Sequence, residues 1–86
     1  MTIRRVNNHR KSVSELDWEE IGNRLRELRG VLTQTQFGDQ LGVPQNIVSR
    51  YERASVRPPI EYLVLAARHR GVTLDWLLLG KKRTPR

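Results

Sequence analysis

Glycine and proline punctuation is what most restricts this chain. Gly30, Gly42, Gly71 and Gly80, together with the pair Pro58 and Pro59, cut the span from 14 to 80 into five short segments. None of the segments alternates β-branched and polar residues as a strand does, so the expected fold class is all-α: a compact five-helix bundle. Asp17 is placed to cap the first helix, with Glu19 and Glu20 suited to the positive end of its dipole. Trp18, Ile21, Leu25 and Leu28 then recur at spacings of three, four and three, which is one apolar stripe. Thr33 and Gln36 form a capping box for a second helix, in which Phe37 and Leu41 face inward and Gly42 makes the left-handed exit. After the two prolines, Ile60, Leu63, Val64 and Ala67 trace the inner stripe of a fourth helix, and Thr73 caps a fifth from Leu74 to Leu79.

The third helix, Pro44 to Arg53, is polar on one side only. At about 100° per residue from Gln45, Ser49 falls at about 40°, Arg53 at 80°, Asn46 at 100° and Arg50 at 140°. Ile47, Tyr51 and Val48 occupy the opposite side, with Glu52 on the border. A helix of this kind buries an apolar flank and offers water a row of amides, a hydroxyl and two guanidiniums. Only the short connection at Gly42 separates it from the second helix, which is a helix-turn-helix signature.

Length and charge narrow the function. At 86 residues one domain is the ceiling. The absence of cysteine removes disulfides, thiolate zinc sites and a thiol nucleophile, and suits a cytoplasmic protein. The longest nearly apolar stretch, Tyr62 to Ala67, falls well short of a bilayer span, so no membrane role is expected. A net charge of +7 points to a polyanion, and its placement is specific. Residues 1–13 carry Arg4, Arg5, Arg10 and Lys11, residues 81–86 carry Lys81, Lys82, Arg83 and Arg86, and neither stretch has an acid. The expected organisation is a flexible basic arm over 1–13, a helix-turn-helix domain over 14–80 and a basic tail over 81–86. Within the nearly neutral domain Arg50, Arg53 and Arg57 still cluster around a single acid, Glu52.

Counting from Gln34, a small residue stands fifth (Gly38), glycine ninth (Gly42) and an aliphatic residue fifteenth (Val48), with LTQxxF before them and GVTLDWLLLG after the fourth helix. In this the chain resembles the phage-repressor family of Cro/C1-type, Xre-like helix-turn-helix proteins over roughly Ile21 to Gly80. The motif residues are explained mechanically, since Gly38 allows close approach of two helices, Gly42 takes a positive φ and Val48 plugs the shared core. The chain departs from the family in a short link from Arg29 to Leu32, in Pro44 where a capping Ser or Thr is usual, in Ala54 where Gly is frequent and in Arg70 where an apolar residue is usual.

The resemblance implies a sequence-specific regulator of transcription, a repressor, bound to double-stranded DNA as a two-fold homodimer. Gln45, Asn46 and Arg50, with Ser49 in support, would read base edges in the major groove, since amides suit adenine and guanidinium suits guanine. Phosphate contacts would come from the start of the second helix, at Thr33 and Gln34, and from Arg53 and Arg57 beyond the third. Arg24 has two open readings, solvated surface or phosphate contact. Arg29 and Glu52 would form a scaffold ion pair, the alternative being two unrelated surface charges. Trp76 and the leucines after it would divide between core and dimer contact. His9 and His69 have no ligand spacing, and neither metal nor cofactor is expected. Paired carboxylates, a phosphate loop and a Ser/His/Asp set are all missing, so an enzyme is not expected. The alternatives of the same fold are an antitoxin bound to a toxin partner, and the N-terminal DNA-binding domain of a longer repressor.

Overall fold

The computed structural model describes residues 16–80 and contains five helices in them: α1 (Trp18–Arg29), α2 (Gln34–Leu41), α3 (Gln45–Glu52), α4 (Ile60–Arg70) and α5 (Leu74–Leu79). The arm expected over 1–13 and the tail over 81–86 lie outside the described residues. Local chemistry sets the helix starts. The Asp17 carboxylate accepts the backbone N–H groups of Glu19 and Glu20 at 3.1 and 3.2 Å. The Thr33 hydroxyl accepts from Gln36 N–H at 3.0 Å while Gln36 Oε1 accepts from Thr33 N–H at 2.9 Å, a complete capping box. Thr73 caps α5 in the same way through Trp76 N–H at 3.0 Å. Pro44 and Pro59 hold the N-cap positions of α3 and α4, where no side chain accepts a bond.

The core gathers Ile21, Leu25 and Leu28 of α1, Phe37 of α2, Val48 of α3, Tyr62, Leu63, Ala66 and Ala67 of α4, and Trp76 and Leu77 of α5. Helix α1 packs on α3, α4 and α5, and α2 packs on α3 and α4, so α3 is held from two sides. Two glycines make those approaches possible. A Cβ on Gly38 would sit well under 3.0 Å from the Val43 carbonyl oxygen, and one on Gly22 equally close to the Glu52 carbonyl oxygen. Gly38 is the expected close-approach position; Gly22, in the middle of α1, is not marked by any turn or cap. At the α2–α3 turn Gly42 adopts φ +75° and Val43 N–H closes on Gly38 O at 2.8 Å.

The structure corrects the inner stripe of α4. Ile60 is 57% exposed, and the buried positions are Tyr62, Leu63, Ala66 and Ala67. The helix is rolled toward its aromatic residue: the buried Tyr62 ring packs on Tyr51 of α3 with centroids 4.6 Å apart, and aromatic rings dominate core packing, while Ile60 stands at the helix end. Arg24 follows neither of its two readings: its Nε and Nη2 donate to the carbonyls of Leu77 and Leu78 at 2.8 and 3.2 Å, closing the C-terminus of α5. Arg70 does the same for α1, donating from Nε to Leu28 O at 2.8 Å. After α3, Ala54 N–H bonds Tyr51 O and Ser55 N–H bonds Arg50 O, a Schellman ending in which Ala54 has φ +60°. That left-handed position favours glycine, and alanine holds it with strain.

Candidate nucleic-acid interface

The starts of α2 and α3 and the outer side of α3 lie together across the Gly42 turn. Gln45, Asn46 and Arg50 are exposed, Ser49 is half-buried, and on the far side Ile47 and Tyr51 are half-buried while Val48 is fully enclosed. The angular count therefore describes the helix as it sits. Helix geometry leaves the first backbone N–H groups of each helix without an intrahelical acceptor. At α3 no side chain supplies a cap, so its opening turn offers N–H groups next to Gln45 and Asn46. At α2 the capping box occupies the N–H groups of Thr33 and Gln36, and those of Gln34 and Thr35 are left for an anion.

Behind this surface lies a charged anchor. Glu52 is 2% exposed, and both its oxygens are held by Arg29, Nε to Oε2 at 2.7 Å and Nη2 to Oε1 at 3.0 Å. The Arg29 Nη1 also donates to Leu32 O at 2.7 Å, tying the α1–α2 link to the same pair. The bond to Glu52 raises the Arg29 pKa further, with burial opposing it, so the guanidinium keeps its charge. Removing one partner of a buried pair costs about 3–5 kcal/mol, because the other charge is left without compensation. Arg26 stands at the rim, 3.9 Å from Glu52.

The anchor reaches the surface through side-chain amides. Gln34 Nε2 donates to Glu52 Oε1 at 3.0 Å, and Gln45 Nε2 donates to Gln34 Oε1 at 2.7 Å. The sequence places Gln34 and Gln45 at two helix starts but does not show this connection. Arg53 Nε donates to the Ser49 hydroxyl at 3.1 Å, joining a residue read as a base contact to one read as a phosphate contact. The Arg57 guanidinium lies over the Trp18 ring, 5.1 Å from its centroid, which fixes its stem and leaves its edge open. Asn46 and Arg50 show no side-chain hydrogen bond to another described residue. Among the described residues no three His, Asp or Glu side chains converge as for a metal ion, and His69 pairs with Gln40. No helix among them is long and apolar enough to cross a membrane.

A family model described as helix-turn-helix matches residues 24–77, which includes the α2–α3 pair and its anchor. An uncharacterised HTH-type transcriptional regulator of Bacillus subtilis (strain 168), YobD, is 37% identical over 57 residues. That match covers 64% of this chain, and the chain spans about half the length of the relative, 51%. Among solved structures, the P22 c2 repressor in complex with the synthetic operator 9T in the presence of Tl+ superposes with a TM-score of 0.65 at 28% identity. The likeness covers 71% of this chain and 96% of the repressor chain.

Proposed function

This chain belongs to the helix-turn-helix family, related to phage repressors and to HTH-type regulators, and from that premise we propose that it is a transcriptional repressor that reads an operator half-site with α3. Gln45, Asn46 and Arg50 meet base edges in the major groove, with Ser49 in support. The open N–H groups at the start of α2, with Thr33 and Gln34 beside them, take one phosphate, and Arg53 and Arg57 take the backbone on the other side. Two copies bind a two-fold operator.

The observation that carries this reading is the position of the polar row on α3. Gln45, Asn46 and Arg50 are exposed along it, with Ser49 half-buried between them, while the opposite flank is locked by Val48, Tyr51 and the buried Glu52. Such a helix is a rigid reading edge. A solvated polar helix has no need of a glycine turn on one side and a charged anchor beneath it.

Selection of binding sites from random duplexes at about 0.15 M salt tests the reading, because nonspecific phosphate contacts weaken there while base contacts persist. Recovery of an inverted repeat with half-sites about 10 base pairs apart is expected. Binding without enrichment, lost as salt rises, would refute it.

A further inference from the structure

Gln34 lies between two groups that leave its amide one orientation. A carboxylate only accepts hydrogen bonds, so the face toward Glu52 has to be Nε2. The carbonyl Oε1 then points to Gln45, and Gln45 has to answer with an N–H. Glu52 cannot turn away, since it is enclosed and gripped at both oxygens by Arg29. The direction of every donor from Arg29 to the reading helix is thus set by one buried charge.

We propose that Glu52 is a specificity-determining positioning residue: acting through Gln34, it occupies one N–H of Gln45 and leaves that side chain one donor and one acceptor for a base. Adenine shows the major groove an acceptor, N7, and a donor, the N6 amino group; guanine shows two acceptors, N7 and O6. A free glutamine meets either purine, using its carbonyl and one N–H for adenine or both N–H groups for guanine. The tethered glutamine has no second N–H to give, so it accepts adenine and rejects guanine. Discrimination at this base pair comes in part from a residue that touches no DNA. The inference rests on the reading of α3 as the base-reading helix.

The experiment compares duplexes that differ only at the base pair whose identity Gln45→Ala no longer distinguishes, with A·T or G·C there, using the full chain. The wild type is expected to favour A·T by roughly tenfold or more. Gln34→Met keeps the side-chain length, removes both amide functions and lies at a half-exposed position, and Arg29 still holds both Glu52 oxygens in its absence. It is expected to bring the A·T to G·C ratio within about threefold, through tighter binding of the G·C duplex relative to the A·T one. A uniform loss of affinity, as from a lost phosphate contact, leaves that ratio unchanged. Glu52→Gln supplies a second variant and shifts the ratio in the same direction, because its own N–H can reverse the Gln34 amide. A wild-type ratio in Gln34→Met overturns the proposal, as does a Gln45-dependent position that prefers a base other than adenine; both leave the reading of α3 intact. If Gln45→Ala changes discrimination at no base pair, the base-reading role of Gln45 fails and the proposal falls with it.

Discussion

Replacing Gly22 by alanine sets two physical effects against each other, and the geometry decides the sign. In an exposed helix interior the change from Gly to Ala gains about 1 kcal/mol from backbone entropy and propensity. At Gly22 the new Cβ meets backbone: the Glu52 carbonyl oxygen well under 3.0 Å away, with the Glu52 carbonyl carbon at 3.0 Å and the Tyr51 oxygen at 3.1 Å behind it. A flexible side chain could swing aside, whereas a carbonyl at the end of α3 moves only with the helix. Clearing the overlap needs α1 and α3 to part by roughly 0.7 Å in a close-packed core. The contact so opened is flanked by Ile21, Leu25 and Val48, all fully buried, and the 2.7 Å bond from Arg29 to Glu52 crosses the same interface. Overpacking of this kind costs about 1–3 kcal/mol, and stretching a buried charged bond adds about 1 kcal/mol, so a net loss of about 2 kcal/mol is expected after the propensity gain. In a domain of this size that lowers Tm by about 10 °C. Urea unfolding followed by circular dichroism measures it, with Asn23→Ala, an exposed neighbour on α1, reporting propensity alone. A Gly22→Ala protein as stable as the wild type, or more so, would refute the reasoning.

Ala54→Gly relieves a left-handed alanine at φ +60° and is expected to stabilise by about 0.5–1 kcal/mol, seen as a Tm rise of a few degrees. Tyr62 has a buried hydroxyl with no hydrogen-bond partner among the described residues, and burial first, then the nearby Glu52 charge, pushes its pKa well above the ordinary phenol value. Its contribution to stability is complete below about pH 10, where the unfolded phenol is protonated, and is lost by about 1.4 kcal/mol per pH unit above it. Tyr62→Phe should remove that alkaline slope and cost nothing at pH 7, which chemical denaturation at pH 7, 10 and 11 checks. Arg24→Leu removes two bonds to the α5 carbonyls and should destabilise by about 1–2 kcal/mol without altering the salt dependence of DNA binding; a phosphate contact would instead reduce that slope by about one. Arg50→Ala should lose about 1–3 kcal/mol of discrimination at one base pair per half-site while Arg57→Ala weakens all duplexes alike, and equal losses on specific and random DNA would contradict the division of roles.

What the sequence disclosed is what one helix decides by itself. The caps at Asp17, Thr33 and Thr73 act within three residues, the exit at Gly42 is a single φ angle, and the polar row of α3 follows from its own period. What it concealed are agreements between distant residues. Arg24 meets its carbonyls 53 and 54 positions away, and Arg70 reaches back 42. The roll of α4 depends on which aromatic ring finds Tyr51, so a stripe drawn through Ile60 had no means of choosing Tyr62. Gly22 carried a usable signal, a glycine in a helix interior with no turn to make, which usually marks a close backbone approach. Glu52 gave a weaker one, lying at the border between the two sides of α3 where either burial or exposure was open.

The unequal wiring of α3 bears on how proteins of this shape change targets. Asn46 and Arg50 stand clear of the scaffold, so new side chains there alter the outer surface and leave the folded core indifferent. Gln45 is joined to Gln34 and through it to Glu52, so a new residue at 45 also disturbs a polar group beneath it. Lineages that drift to new operators would then vary singly at the positions of Asn46 and Arg50, and in step at the positions of Gln34 and Gln45.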